Sequence, residues 1–179
     1  MTMAADPVFV DTNVLIYATR GTASEHAAAL AALARLEGEG RALWISLQIL
    51  REYLAAVTRP QATSPALPMT TAIADVRRFQ QVFYVAEDRL AVLKLDRLLA
   101  LLGAHLGAGR QVHDTNIVAT MLEHGIRRLL TFNSGDFTEP LRGCQAANLT
   151  RPREQRRHAA RTPGPLRGDY RARAHAMIV

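Results

Sequence analysis

Short apolar runs alternate with longer stretches of helical periodicity along the first 137 residues. The apolar runs, which predict buried strands, lie at 8–10, 42–45, 82–85 and 128–132. Helical patterns lie at 15–18, 24–38, 46–58, 70–81, 88–106 and 114–124; Ser opens two of them, and Gly or Pro ends several. Strands that alternate with helices in this way predict an α/β fold with a central parallel sheet.

The periodicity is lost after Phe137. The remaining residues include few large apolar side chains and an excess of Arg, Pro and Ala, a composition typical of disordered segments. We predict one domain over residues 1–149 and a basic C-terminal tail, disordered or degenerate, over residues 150–179.

The net charge of +6 would suggest nucleic-acid binding if it were spread over the fold. Residues 1–149 carry 14 Lys/Arg and 14 Asp/Glu, whereas residues 150–179 carry eight Arg and two acids. The whole excess therefore belongs to the predicted tail, and it says little about the folded domain.

Composition excludes several classes of protein. Cys144 is the only cysteine, which excludes an internal disulfide and a cysteine-rich zinc site. No apolar run approaches the roughly 18–20 residues that span a bilayer, and the first residues lack the pattern of a signal peptide. We expect a cytoplasmic protein with no membrane segment.

Three aspartates occupy positions where ligands commonly bind. Asp11 and Asp136 each follow a predicted strand, at the edge where open α/β sheets bind ligands. Asp11 could also serve as a helix cap, and Asp136 as a turn residue. Asp114, at the predicted start of its helix, lies on that helix's apolar face. An inward carboxylate needs a proton, a partner or a cation to offset its desolvation.

Glu52 differs from these aspartates. The apolar stripe of its helix consists of Leu47, Leu50, Leu54 and Val57, and Glu52 falls nearly opposite to it. Periodicity alone therefore predicts a solvated surface glutamate.

Carboxylates that converge on one sheet edge repel each other unless they share divalent cations. Their hard oxygen ligands suit Mg²⁺ or Mn²⁺. A site of this kind can activate water for phosphodiester hydrolysis.

Three segments carry a family resemblance: VFVDTNVLIY, SLQILREYLAAVTRP and VHDTNIVATMLEHGIRRLLTFNSGDF. In this order and spacing they resemble the PIN-domain ribonucleases, and most of all the VapC-type toxins of toxin–antitoxin modules. The resemblance covers about residues 7–137. It implies a three-layer α/β/α fold with a parallel sheet of four to five strands and an acidic site that binds Mg²⁺ or Mn²⁺ at one sheet edge.

The resemblance also implies roles for individual residues, matched by position. The acids expected to be catalytic and to bind metal are Asp11, Glu52, Asp114 and Asp136. The side chains expected to orient these carboxylates or a metal-bound water are Thr12, Asn13, Thr131 and Asn133. Glu52 is assigned to the site by the resemblance alone, because the periodicity of its helix predicts a surface residue. His113 is expected to be a loop or capping histidine rather than a general base.

One part of the family pattern is missing. Family members continue past the Asp-Phe pair into a last apolar strand at the edge of the sheet. The equivalent region here, residues 138–150, offers only Leu141 and Leu149 as large apolar residues. The sequence therefore does not predict this edge strand, although it retains all four acids.

The function that the resemblance implies is a metal-dependent endoribonuclease acting as a toxin on RNA. Its implied partner is an antitoxin protein whose C-terminal segment enters among the carboxylates. A homodimer is also implied, with an interface expected on the apolar faces of helices 47–57 and 70–81.

Two alternatives belong to other classes. The chain could be a catalytically silent RNA-binding or interaction module, which would bind no metal and could contact phosphates through its basic tail. It could also be another metal-dependent phosphohydrolase, such as a haloacid-dehalogenase-type phosphatase. That class needs a second Asp two residues after the first, and Asn13 at this position weakens the idea.

Overall fold

Residues 6–60, 64–86, 91–105, 110–137 and 145–148 are described by the computed structural model. Within these ranges, the side chains of residues 91–94, 104–105, 110–111, 136 and 145–148 are not described. The predicted tail at 150–179 lies outside the described residues.

Five short strands form one parallel sheet in the order β3-β2-β1-β4-β5. Their bounds are β1 Val8–Val10, β2 Leu43–Ser46, β3 Tyr84–Ala86, β4 Arg128–Thr131 and β5 Gln145–Asn148. The first four correspond to the predicted strands. The third begins two residues late, because the preceding helix continues through Val82.

Within the described residues, six helices cover the two faces of the sheet. They are α1 Thr12–Thr19, α2 His26–Gly38, α3 Leu47–Val57, α4 Met69–Val82, α5 Ala91–His105 and α6 Arg110–Glu123. Right-handed crossovers place α1 to α4 on one face, because β1, β2 and β3 follow one another in the same direction. The connection from β3 back to β4 places α5 and α6 on the other face. This arrangement confirms the predicted three-layer α/β/α fold.

The core lies between the sheet and these helices. The middle strand β1 is apolar and buried along its whole length, as expected for a strand covered on both faces. Ser46 caps α3 as predicted, since its side chain accepts a hydrogen bond from the Ile49 backbone N–H at 3.3 Å. In the described part of the chain, no helix is long and apolar enough to cross a membrane.

The apolar face of α3 is buried inside the chain. Ile49, Tyr53 and Val57 are in the core, and α3 packs against α1 and α4. The chain's own helices therefore cover much of this face while Leu47 stays exposed, and its part in a dimer interface stays a prediction. Helix α4 keeps two exposed apolar side chains, Met69 and Ile73.

Strand β5 is a second correction to the sequence-based picture. Gln145–Asn148 pairs in parallel register with Arg128–Thr131, at the edge where no strand is predicted. The pairing forms through backbone N–H and C=O groups, so it needs no large side chain. Ala146 and Ala147 are too small to produce a strand signal in the sequence.

Helix α6 begins at Arg110, one turn before the predicted start at Asp114. The residues that precede Asp114 include Arg and Gln, which are good helix formers, and no helix breaker. Asp114 is therefore the fifth residue of the helix. Helix capping no longer explains its presence.

Candidate active site

Asp11 lies at the junction of β1 and α1, in the middle of the sheet. Its backbone N–H donates to the Leu130 carbonyl oxygen at 3.0 Å, which extends the pairing of β1 with β4 by one residue. Its backbone precedes the first turn of α1, but its side chain does not form the usual helix-capping hydrogen bond. The carboxylate is therefore available for another role.

The Asp11 carboxylate is held by donors from two elements. Asp11 Oδ2 accepts hydrogen bonds from Thr131 Oγ1 at 2.7 Å and from Asn13 Nδ2 at 2.6 Å. Thr131 Oγ1 also accepts from the Asn133 backbone N–H at 3.0 Å, and Asn13 Oδ1 accepts from the Phe132 backbone N–H at 3.1 Å. The structure thus brings two of the predicted supporting residues, Asn13 and Thr131, to the carboxylate, and the backbone of a third, Asn133, contacts Thr131.

The environment of Asp11 disfavours its negative charge. The residue is only 6% exposed, and desolvation by burial raises its pKa from 3.8 to about 6. Hydrogen bonds from Thr131 and from the Thr12 backbone oppose this rise, while the negative charges of Asp114 and Glu52 add to it. A positive charge next to the Asp11 carboxylate would therefore stabilise its ionised form.

Glu52 belongs to the same group of side chains. Its Oε2 accepts a hydrogen bond from Thr12 Oγ1 at 2.7 Å, and its Oε1 accepts one from Gln48 Nε2 at 2.6 Å. Its side chain is 31% exposed. Glu52 is thus anchored to the residue that follows Asp11, and the periodicity-based prediction of a solvated surface glutamate is wrong.

That prediction fails because α3 is rotated relative to its apolar stripe. The buried residues of α3 are Gln48, Ile49, Leu50, Tyr53 and Val57, while Leu47 is exposed. The predicted stripe includes only aliphatic residues, so it omits Gln48 and Tyr53, which are also buried. With these two residues included, Glu52 flanks the buried face instead of lying opposite to it.

Asp114 lies on the inward side of α6 and is partly buried. Ile117, Val118 and Met121, on the same face of the helix, are fully buried, as the sequence predicts. The charge of Asp114 is close enough to contribute to the raised pKa of Asp11. Two of the other predicted acids, Asp114 and Glu52, therefore act electrostatically on Asp11.

Two residues at the site were missed by sequence reasoning. Gln48 Nε2 donates to the His113 carbonyl oxygen at 3.1 Å, and Asn116 Nδ2 donates to Gln48 Oε1. The available signal was spacing: Gln48 stands one turn before Glu52, and Asn116 stands two residues after Asp114.

His113 is neither in a loop nor at a helix cap, contrary to expectation, because α6 begins before it. Its side chain is 70% exposed, and its Nδ1 lies 3.7 Å from Glu52 Oε1. His113 therefore lies at the exposed edge of the cluster formed by Asp11, Glu52 and Asp114.

Asp136 lies in a 3-10 helix, Ser134–Phe137, which follows β4 at the same edge of the sheet. Phe137 is buried and anchors this turn in the core. The side chain of Asp136 is not among those described, so its part in the site stays a prediction.

The donor atoms of the site match a hard divalent cation. Among the described residues, no three His, Cys, Asp or Glu side chains are arranged as a group that could hold a metal ion. Carboxylate oxygens are nevertheless the ligands that Mg²⁺ and Mn²⁺ prefer. The buried Asp11 carboxylate, near two further acids, is also a charge that a cation would stabilise. In donor chemistry and in charge, the residues present therefore fit such an ion.

Comparison with known proteins supports the family. The model of the PIN domain matches residues 8–139. No curated protein is similar in sequence at a significant level.

The solved structures that share the fold include three complexes. The VapBC2 complex of Rickettsia felis bound to a promoter DNA fragment has a TM-score of 0.54 at 16% identity, over 79% of this chain and 97% of that chain. FitAB bound to the IR36 DNA fragment has a TM-score of 0.54 at 18% identity, over 79% and 94%. FitAcB from Neisseria gonorrhoeae has a TM-score of 0.53 at 18% identity, over 79% and 96%. Because the family model matches well over half of its length, this chain belongs to the PIN domain family.

Proposed function

We propose that this protein is a Mg²⁺- or Mn²⁺-dependent endoribonuclease and the toxin of a type II toxin–antitoxin module, acting in the cytoplasm. The observation that carries the proposal is the buried Asp11 carboxylate, which Thr131 and Asn13 hold in place near the charges of Asp114 and Glu52. Membership of the PIN domain family supports it.

Asp11, Glu52 and Asp114 would hold the cation, with Asp136 as a fourth ligand by position. When bound, a divalent ion supplies Lewis acidity that activates water and stabilises charge on the scissile phosphate. The chain's own residues orient the ligands. Thr131 and Asn13 fix the rotation of the Asp11 carboxylate, and Thr12 holds Glu52.

We further propose that an antitoxin protein binds this chain. The solved structures that share the fold include VapBC2 and FitAB, both bound to DNA. A basic segment of the antitoxin would satisfy the carboxylates in place of the cation, because Arg forms strong bidentate pairs with carboxylates. We also propose that the chain forms a homodimer, which light scattering of the purified protein would test.

The decisive experiment is a cleavage assay on structured and single-stranded RNA with Mg²⁺ or Mn²⁺. Wild type is compared with Asp11→Asn, Asp114→Asn and the matched control Asp96→Asn, which changes an exposed acid on α5. We expect a loss of at least about 100-fold in the first two variants, because each loses a charged ligand. Asp96→Asn should cleave like wild type. Undiminished cleavage by both site variants would sink the proposal.

One observation favours the silent RNA-binding or interaction module as a second candidate: within the described residues, the acids are not arranged as a ready metal-binding group. That module would bind no Mn²⁺ and cleave no RNA. The contact of Asn13 argues against the phosphatase alternative. Asn13 donates a hydrogen bond to Asp11 Oδ2, and its amide cannot replace the second carboxylate that this class of phosphatase needs.

A further inference from the structure

Gln48 is a buried amide that joins two helices of the site. It is 7% exposed and lies in the first turn of α3. Its Nε2 donates to Glu52 Oε1 at 2.6 Å and to the His113 carbonyl oxygen at 3.1 Å, while its Oε1 accepts from Asn116 Nδ2. Both hydrogens of the amide are therefore used, each on a different helix.

The contact with Asn116 gives the Gln48 amide a single orientation. Asn116 Nδ2 can only donate, so it faces the oxygen of the amide and turns the nitrogen toward Glu52. The reversed amide would place its oxygen against Glu52 Oε1 and the His113 carbonyl oxygen, two acceptors that repel it. Gln48 therefore holds Glu52 through a donor whose direction is set from α6.

These contacts surround Asp114 along the sequence of α6. The carbonyl oxygen that Gln48 holds belongs to the residue before Asp114, and Asn116 follows two residues later. Glu52 and Asp114 come from helices on opposite faces of the sheet, and Gln48 connects them at the edge of the sheet. Its side chain thereby links the turn that carries Asp114 to the carboxylate of Glu52.

We propose that Gln48 is a positioning residue that sets the spacing of the Glu52 and Asp114 carboxylates for one divalent cation. The inference rests on the proposed metal-dependent function. An aliphatic side chain could fill the space between α3 and α6 without desolvating an amide, but it could not hold Glu52 Oε1. The polar residue is therefore explained by the orientation of Glu52 rather than by packing.

The test is the affinity of the purified protein for Mn²⁺, measured by isothermal titration calorimetry without RNA. Gln48→Met keeps the length of the side chain and removes its donors, and we expect it to weaken Mn²⁺ binding by about tenfold. The matched control Gln81→Met, at an exposed glutamine of α4, should bind like wild type. Wild-type affinity in Gln48→Met would overturn the inference.

A double-mutant cycle separates positioning from a merely structural role. If Gln48 acts through Glu52, adding Gln48→Met to Glu52→Gln should change Mn²⁺ affinity by less than about twofold. Equal losses in the two backgrounds would mean that Gln48 does not act through Glu52, and would contradict the inference.

Folding is followed by circular dichroism, since Gln48→Met removes the acceptor of the Asn116 amide and the second donor to the His113 carbonyl oxygen. If that variant does not fold, Asn116→Ser provides a second test, because it removes the α6 side chain that donates to the oxygen of the Gln48 amide. It should weaken Mn²⁺ binding by about threefold to tenfold, and wild-type affinity in it would overturn the inference. Loss of Mn²⁺ binding in Asp11→Asn and Glu52→Gln but not in Gln48→Met defeats this inference alone. Wild-type binding in all three defeats the proposed metal site as well.

Discussion

Thr131, the last residue of β4, donates its hydroxyl hydrogen bond to Asp11, the residue that follows β1, over 2.7 Å. The two residues are 120 positions apart in the chain and meet because β1 and β4 are neighbours in the sheet. The same hydroxyl oxygen accepts from the Asn133 backbone N–H, so it orders the carboxylate and the following turn together.

Replacing Thr131 with Val should disturb both the Asp11 carboxylate and the turn that follows β4. The change removes a buried donor to Asp11 and an acceptor for Asn133, so we expect a loss of about 1–3 kcal/mol in the free energy of unfolding. Because the Thr131 hydrogen bond lowers the pKa of Asp11, the variant should also hold the Asp11 proton more tightly. Denaturant unfolding and Mn²⁺ titration measure the two effects. Thr131→Ser, which keeps the hydroxyl, should resemble wild type in both, and an unaffected Thr131→Val would contradict this role.

Asp11→Asn should stabilise the metal-free protein at neutral pH. The native pKa of Asp11 is raised from 3.8 to about 6, so the native state binds this proton more tightly than the unfolded state does. The free energy of unfolding therefore falls as the pH rises from about 4 to about 6, and it stays lower above that. At pH 7, Asp11→Asn removes this cost, which is on the order of 1–3 kcal/mol.

Urea unfolding in the presence of a chelator, at pH 4 and pH 7, measures this difference. The stability gain of Asp11→Asn should be present at pH 7 and nearly absent at pH 4. A variant less stable than wild type at pH 7 would show that burial of the Asp11 charge is not costly.

Added Mn²⁺ should stabilise the folded protein in a pH-dependent way. A ligand at 100 times its Kd stabilises the state it binds by about 2.7 kcal/mol. Below about pH 6 the proton on Asp11 competes with the cation, so the stabilisation should shrink as the pH falls from 7.5 to 5. Thermal unfolding with and without Mn²⁺ at these two pH values checks this. An equal rise in Tm at both, or the same rise in Asp11→Asn, argues against Asp11 as a ligand.

A second buried polar network should affect stability but not cleavage. Tyr53 Oη donates to Asp75 Oδ2 at 2.6 Å, and Asp75, only 3% exposed, also forms an ion pair with Arg78. Burial raises the pKa of Tyr53, which keeps its hydroxyl a donor. Tyr53→Phe should cost about 1–3 kcal/mol in the free energy of unfolding, because an oxygen of a buried carboxylate loses its partner.

Urea unfolding and the RNA cleavage assay together test this separation. Tyr84→Phe, which changes an exposed tyrosine stacked on Trp44, serves as the matched control and should leave stability unchanged. A loss of cleavage in folded Tyr53→Phe would mean that the network between α3 and α4 reaches the acidic site.

Most of the layer structure was predictable from local patterns. Strands β1 to β4 and five of the six helices correspond to predicted elements within a few residues. The start of α6 was predicted one turn late, and β5 was not predicted, because its alanines pair through the backbone and leave no side-chain pattern.

The sequence by itself determined the alternation of strands and helices, the place of Asp11 after the first strand and the inward face that carries Asp114. Each depends on neighbours within a few residues, and periodicity records such relationships. The tertiary structure decided the setting of Glu52, which meets Thr12 across 40 residues, and of Gln48, which meets Asn116 across 68. These contacts depend on how α3 is rotated about its axis against the sheet and α6. That rotation buries Tyr53 and Gln48, and it results from packing between segments that are distant in the sequence.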